Sequence, residues 1–97
     1  MLNYAYIYLR LFIEEVFVTL SQAVAKRIKN LLKEKNITQY RLEQNSGILH
    51  GTMQCIMNGR TSKIMMNTVM MIARGFDMTL IEFIDDDLFR SNELEIE

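Results

Sequence analysis

Residues 37–59 read ITQYRLEQNSGILHGTMQCIMNG, and this stretch decides the fold. The side-chain oxygen of Thr38 can cap a helix that begins at the next residue. Gly47 suits a sharp change of direction, because glycine enters positive φ without steric cost. The pattern therefore predicts a helix over roughly residues 39–45, a tight turn, and a further helix over roughly residues 49–57.

The second helix of this pair has two different faces. Met53, Ile56 and Met57 recur at helical spacing and predict an apolar inner stripe, with Ile48 pointing into the core just before it. The outer side carries small and polar residues, namely Gly51, Gln54, Cys55 and Asn58, flanked by His50 and Thr52. A helix presented in this way suits the major groove of DNA, which is wide enough to accept one. The Gln54 amide is chemically suited to the edge of adenine.

Three more helices are predicted around this pair. Thr19 with Gln22, and Thr79 with Glu82, have capping-box spacing and open the first and the fifth helix. A helix near residues 66–76 lies between the central pair and the fifth helix. The residues expected to face inward are Val24, Ile28, Leu31, Leu32, Met66, Val69, Ile72, Ala73 and Phe76, and those expected to end helices are Asn36 and Asp77. The fold class is therefore all-α, a compact arrangement of five helices.

The charges are distributed unevenly along the chain. Residues 21–63 contain eight basic and two acidic residues, a balance of +6, whereas residues 76–97 contain one basic and eight acidic residues, a balance of −7. The basic half can face phosphates while the acidic half points elsewhere, although two differently charged solvated faces would look the same. Three consecutive aspartates, Asp85 to Asp87, are expected to splay into solvent rather than hold a metal ion.

Residues 1–18 differ from the rest of the chain in being rich in aromatic residues. Arg10, Glu14 and Glu15 make this segment too charged, and its length makes it too short, for a comfortable transmembrane helix. Two interpretations remain open: an arm that packs on a second subunit, or a misassigned start with Val18 as the true first residue.

The pattern resembles the phage repressor and Cro family of helix-turn-helix proteins, also called the xenobiotic-response-element family. The residues that carry the resemblance lie between about Thr19 and Asp85: Ala25 to Lys29, Ile37 to Gln39, Ser46 to Ile48, Asn58 to Thr61, Ile72 to Ala73 and Thr79 to Phe83. The resemblance implies a repressor-like DNA-binding domain, which we assign to residues 19–87. The composition of the flanking segments predicts an N-terminal extension over residues 1–18 and a loose acidic tail over residues 88–97.

The resemblance also implies roles for individual residues. Gln39 matches a glutamine that contacts the phosphate backbone at the start of the second helix. Residues that match base-facing positions are His50, Gly51, Gln54 and Cys55, with Thr52 beside them. Asn58 and Arg60 match backbone-contacting positions, and Lys63 belongs to the short basic loop that follows. His50 is interpreted either as a base or phosphate contact or as an idle surface residue.

Two departures from the family pattern concern the packing and the start of the third helix. Glu43 stands where alanine is usual, so either its side chain tilts outward or the two central helices are set differently. Leu49 replaces the usual Ser or Thr cap of the third helix.

A second set of expectations concerns assembly. The fourth and fifth helices carry more apolar residues than one face can bury, including Met70, Ile81 and Ile84, which we assign to a homodimer interface.

The sequence shows no catalytic constellation or phosphate-binding loop, so an enzyme is not expected. A lone histidine and a lone cysteine do not make a zinc site, and no cofactor, metal ion, membrane or small-molecule ligand is expected. The single cysteine fits a reducing cytoplasm.

These observations predict a sequence-specific DNA-binding transcriptional regulator, a repressor that binds double-stranded DNA as a homodimer on a palindromic operator. The alternative is an antitoxin-like or regulatory interaction module that binds a protein partner through its acidic C-terminal half.

Overall fold

The structure is a computed structural model and describes residues 19–90. All regular elements of these residues are helical, which confirms the all-α prediction. They are α1 (Leu20–Glu34), α2 (Gln39–Ser46), α3 (His50–Met57), α4 (Met66–Gly75) and α5 (Leu80–Ile84), followed by a C-terminal 3₁₀ turn (Asp87–Phe89). Residues 1–18, with both interpretations of that segment, lie outside the described residues, as do residues 91–97.

The predicted starts of α1 and α5 are confirmed by the hydrogen bonds at their caps. The hydroxyl of Thr19 accepts from the backbone N–H of Gln22, and the Gln22 side chain accepts from the backbone N–H of Thr19, both at 3.1 Å. Thr79 and Glu82 form the same reciprocal pair at the start of α5. Each box satisfies backbone donors that a helix leaves without an internal partner in its first turn.

The helix ends are confirmed as well. Asn36 follows α1 with a φ of 54°, and Asp77 follows α4 with a φ of 59°. Gly47 closes α2 in the left-handed conformation, with a φ of 78°, and its N–H donates to the carbonyl of Glu43. The chain can therefore reverse between α2 and α3 within a few residues, as the turn glycine predicts.

The core is formed by one apolar face from each helix. Its buried side chains are Val24, Ile28, Leu31, Leu42, Ile48, Met53, Ile56, Met57, Val69, Ile72, Ala73, Phe76 and Phe83, with Leu32 packed against them from a half-buried position. Met66 is an exception to the predicted inner face, since it is 64% exposed. It is the first residue of α4, and helical side chains lean toward the N-terminus, so Met66 projects past the end of the packed face.

Gly75 allows α2 and α4 to approach closely. A Cβ atom at this position would lie 2.9 Å from the Cβ of Ser46 and 2.9 Å from the Cδ1 of Leu42. The absence of a side chain at Gly75 therefore brings α4 directly against the helix that precedes the turn, and this contact holds α2 in place beneath α3.

The acidic end of the domain is less solvated than the sequence predicts. Asp86 is half-buried and accepts a hydrogen bond from Arg27 at 3.0 Å, so the expectation that all three aspartates splay into solvent is wrong for this one. Phe89 packs against the core, with its ring centroid 6.2 Å from that of Phe83. Residues 88–90 thus continue the fold rather than begin a loose tail, because an aromatic side chain there finds apolar surface to cover.

Candidate nucleic-acid interface

The turn between α2 and α3 sets the angle at which α3 leaves the core. Ile48 is 7% exposed and anchors the chain immediately after Gly47. Leu49 occupies the N-cap position of α3 without a side-chain hydrogen bond, as its departure from the usual Ser or Thr implies. Because Leu49 is 77% exposed, the start of α3 stands out from the core. With Ile48 fixed in the core, the first turn of α3 therefore lies exposed on the surface of the domain.

The two faces of α3 are divided as the sequence predicts. Met53 is fully buried, and Ile56 and Met57 are buried beside it. The residues of the predicted outer face are all exposed, namely His50, Gly51, Thr52, Gln54, Cys55 and Asn58. The outward surface of α3 is therefore polar and small, and a Cβ added at Gly51 would meet no protein atom within 4 Å.

Glu43 organises the polar side chains where α2 meets α3. Its Oε2 atom accepts a hydrogen bond from the Gln39 amide at 2.9 Å and another from Nδ1 of His50 at 2.8 Å. The Nε2 atom of His50 in turn lies 3.4 Å from Nε2 of Gln54. Three of the predicted site residues, Gln39, His50 and Gln54, are thus brought together through one carboxylate. We call the set of Gln39, Glu43, His50 and Gln54 the Glu43 network.

The burial of Glu43 overturns one of the two expectations for it. Its side chain does not tilt outward, since the residue is 7% exposed at the α2–α3 contact. Donation by the Gln39 amide lowers the pKa of the Glu43 carboxyl below its ordinary value, and the hydrogen bond and charge of the His50 ring act in the same direction, against burial, which raises it. The carboxylate is therefore ionised at neutral pH, when it accepts hydrogen bonds and donates none.

The His50 ring is held by this carboxylate although the side chain remains 67% exposed. Its contact with a base or a phosphate stays a prediction. Sequence reasoning assigned no role to Glu43 itself. A signal for it exists in the spacing: Gln39 lies four residues earlier on the same helix face, so a carboxylate at a packed position has a donor within reach.

The loop after α3 carries the remaining predicted contacts. Arg60 and Lys63 are both exposed, and Asn58 closes α3. Gly59 has a φ of 66°, and the backbone N–H of Arg60 donates to the carbonyl of Cys55 at 3.0 Å. The loop therefore starts against the last turn of α3, which keeps Arg60 beside the outer face of this helix.

The basic surface is smaller than the charge balance alone predicts. Five basic residues of the first two helices and their connection are exposed, namely Lys26, Lys29, Lys33, Lys35 and Arg41. Arg27 is different: it is 8% exposed, and it donates to the carbonyl of Phe83 and to Asp86. The interpretation that the whole basic half faces phosphates is wrong for Arg27, since its guanidinium is already paired inside the fold.

The three residues assigned to a dimer interface are placed in different surroundings. Ile81 is 70% exposed on α5. Ile84 is half-buried and packs against the core, where it lines an apolar groove that also includes Leu20 and Val69. Met70 lies in a separate depression beside Arg74. Ile81 is therefore the member of this set that is open to a second chain.

Two further observations concern the described part of the chain. Within residues 19–90, no group of three or more His, Cys, Asp or Glu side chains is placed to hold a metal ion. Among the same residues, no helix combines the length and the apolar character needed to cross a bilayer.

The comparison with known protein families agrees with this architecture. A family model for the Cro/C1-type HTH DNA-binding domain matches residues 27–87, which is well over half of the chain. No curated protein matches the chain, and no solved structure does. The matched region contains the whole of α2, the turn at Gly47, α3, α4 and α5. The chain therefore belongs to the Cro/C1-type helix-turn-helix family, and it is a DNA-binding regulator of transcription.

Proposed function

We propose that the protein is a cytoplasmic repressor that binds a palindromic operator as a homodimer, with residues 19–87 as its DNA-binding domain. The observation that carries this proposal is the outer face of α3, which is exposed over its full length while the inner face is locked into the core. A rigid helix with an open polar side can enter the major groove without a change of fold. Occupation of a promoter by a bound dimer is the simplest route to repression.

Each predicted residue of the interface has a role in this proposal. Gln54 reads a base edge, with His50, Gly51, Thr52 and Cys55 close to the floor of the groove. Phosphate contacts come from the ends of the helix pair, namely Gln39, Asn58, Arg60 and Lys63. Gln39 uses one amide N–H for Glu43, and a second N–H remains for a phosphate oxygen. The phosphate contacts position α3, and the base contacts select the sequence.

Selection of bound sequences from a random DNA pool tests the proposal directly. A two-fold symmetric consensus is expected, with half-sites about one helical turn, roughly 10 base pairs, apart. On that site, log Kobs should fall with log salt by about 0.9 for each phosphate that is neutralised. Failure to enrich any sequence, together with salt-independent binding, would contradict the proposal.

A pair of arginine variants sharpens this test. Arg60→Ala should lower the salt slope by about one unit, since it removes one phosphate contact beside α3. Arg74→Ala is the control, because Arg74 is also exposed but lies on α4, away from the proposed DNA contacts. Equal effects of the two variants would show that the charge, rather than its place, determines binding.

The alternative, a module that binds a protein partner through its acidic half, receives less support from the ion pairs. Arg90 forms salt bridges with Asp85 and Asp87, and Arg27 forms one with Asp86. Two arginines thus offset part of the charge of the three consecutive aspartates within the domain. They offer a basic partner less free charge than the sequence alone suggests.

A further inference from the structure

The amide group of Gln54, the residue that we assign to base reading, can adopt two orientations. A glutamine amide carries an acceptor oxygen and a donor nitrogen of nearly the same shape, and a half-turn exchanges them. Adenine presents the N7 acceptor next to the N6 donor in the major groove, so the order of the two amide groups matters. Whatever fixes the amide of Gln54 therefore takes part in choosing the base.

His50 lies one helical turn before Gln54, at the spacing that places two side chains side by side. Its Nε2 atom is 3.4 Å from the amide nitrogen of Gln54. Its other ring nitrogen, Nδ1, is 2.8 Å from the Oε2 atom of Glu43. The imidazole thus bridges a buried carboxylate on α2 and the proposed reading residue on α3.

The chemistry of the carboxylate determines which ring nitrogen carries the proton. Glu43 is ionised and can only accept, so the hydrogen of this bond belongs to Nδ1 of His50. In the neutral imidazole the Nε2 atom then has a free lone pair, since one ring nitrogen donates and the other accepts. That lone pair can accept an N–H of the Gln54 amide, which directs the amide nitrogen toward His50 and leaves the oxygen on the far side.

We propose that His50, anchored by Glu43, is a positioning residue that fixes the orientation of the Gln54 amide and thereby sets the base preference of α3. The inference rests on the proposed DNA-binding function and extends it to a specificity device at the α2–α3 contact. Glu43 acts through His50 and touches no base, because it is buried between the helices.

The first experiment measures base preference as a ratio of affinities. Competition binding compares the selected operator with operators that carry each other base pair at the position read by Gln54. A well-placed bidentate contact corresponds to a preference of roughly 5- to 150-fold. Glu43→Ala and His50→Ala should each reduce that ratio about two- to tenfold, the range of one lost hydrogen bond. An unchanged ratio in both variants would overturn the inference.

A double-mutant cycle separates positioning from general damage. In the presence of Gln54→Ala, the substitution His50→Ala should cause no further loss of preference at this base pair, because the residue that it orients is gone. Additive losses would mean that His50 acts independently, which would overturn the inference. Glu34→Ala is the control for a lost acidic residue, since Glu34 is exposed at the end of α1 and should leave the ratio unchanged.

The second experiment needs no DNA. His50 is the single histidine of the chain, so its ring nitrogens give unambiguous signals in NMR spectra of ¹⁵N-labelled protein. In the neutral form of the ring, the proton should reside on Nδ1 and Nε2 should be unprotonated. Glu43→Ala should remove this preference. Glu43→Gln, whose amide oxygen can still accept from Nδ1, should retain part of both the tautomer signature and the base preference.

These outcomes distinguish the inference from the function on which it rests. A proton on Nε2 in the wild-type protein overturns the inference alone, because that measurement does not involve DNA. The other outcome is a proton on Nδ1 in the wild-type protein together with a base preference that Gln54→Ala leaves intact. That outcome overturns the role of Gln54 in base reading, and with it the role of His50 as the residue that orients Gln54. If Glu43→Ala fails to fold, His50→Ala still carries the base-preference test and the double-mutant cycle, since the His50 side chain is largely exposed.

Discussion

Arg27 and Asp86 are joined by a salt bridge of 3.0 Å that connects the first helix to the last turn of the domain. The same guanidinium donates to the carbonyls of Phe83 at 2.8 Å and Glu82 at 3.2 Å, near the end of α5. It also lies over the Phe83 ring, 5.7 Å from the centroid. A five-residue helix has few internal hydrogen bonds, so these donations satisfy carbonyls that α5 leaves open.

Removal of the Arg27 donors should therefore weaken the whole domain. Arg27→Met keeps much of the aliphatic length but leaves the carbonyls and Asp86 without this partner, at a cost of about 1–3 kcal/mol in the free energy of unfolding. Urea denaturation followed by circular dichroism measures the difference. Arg90→Met is the matched control, because Arg90 and its two aspartate partners are exposed, and no measurable change is expected. An equal loss in both variants would contradict this account.

The capping box of α5 gives a prediction for acid stability. The backbone N–H of Thr79 donates to the Glu82 carboxylate at 3.0 Å, and this bond lowers the pKa of Glu82 below its ordinary value. The stabilisation is fully present above the unfolded-state pKa of about 4.3 and is lost as the pH falls through the lower folded-state pKa. Glu82→Gln keeps an acceptor for Thr79 but does not titrate.

We therefore expect the thermal midpoint of Glu82→Gln to fall less steeply than that of the wild type as the pH drops below about 4.3. Thermal midpoints of both proteins measured across this pH range test the prediction. Glu34→Gln, an exposed carboxylate without a capping role, is the control and should follow the wild-type curve. Parallel curves for Glu82→Gln and the wild type would show that the bond to Thr79 does not distinguish the two protonation states.

The local features of the fold were predictable because both partners lie close together in the sequence. Thr19 and Gln22, or Thr79 and Glu82, are three residues apart, and three residues is the distance that a capping box spans. Gly47 is predictable for a similar reason, since a single residue type satisfies the backbone conformation that the turn requires. The position and the outer face of α3 follow from these signals and from the apolar period.

The pairing of distant polar residues was not predictable from the same reasoning. Arg27 and Asp86 are 59 residues apart, and charged residues are by default expected on the surface. Glu43 looked out of place at an alanine position, and only the three-dimensional placement of His50 gives it a second donor. The Glu43 network within the candidate site is therefore a property of packing, whereas Gln39, His50 and Gln54 were predicted one by one from the resemblance to the family.

Gly51 provides a test in which stability and binding should move in opposite directions. Glycine inside a helix costs roughly 0.5–1 kcal/mol relative to alanine, and a Cβ at this position meets no protein atom within 4 Å. Gly51→Ala should therefore stabilise the fold by up to about that amount. It should weaken operator binding, because the added methyl group stands on the face that we propose approaches the base edges.

The measurements are urea denaturation and titration of the selected operator. Gly47→Ala is the contrasting variant: its φ of 78° makes a side chain unfavourable by about 1–2 kcal/mol, so it should destabilise the fold. If Gly51→Ala is more stable and binds DNA as tightly as the wild type, then the first turn of α3 does not approach the groove closely.

Ile81 is the residue through which the proposed homodimer can be tested without damage to the fold of the single chain. It is 70% exposed on α5, so a lysine there disturbs no internal packing, whereas a charge at the half-buried Ile84 would also disrupt the core. Ile81→Lys should yield a folded monomer, since an unpaired charge buried in an interface is costly. Loss of the second half-site should weaken operator binding by roughly 10²-fold or more.

Analytical ultracentrifugation gives the oligomeric state, and circular dichroism confirms that Ile81→Lys is folded. Lys33→Ile is the control for a changed charge, since this exposed lysine lies on α1, outside the proposed interface. If Ile81→Lys remains a dimer, the interface lies elsewhere, and deletion of residues 1–17 becomes the decisive variant. A monomer after that deletion would favour the arm interpretation of the N-terminal segment, whereas an intact dimer that still binds the operator would favour a start at Val18.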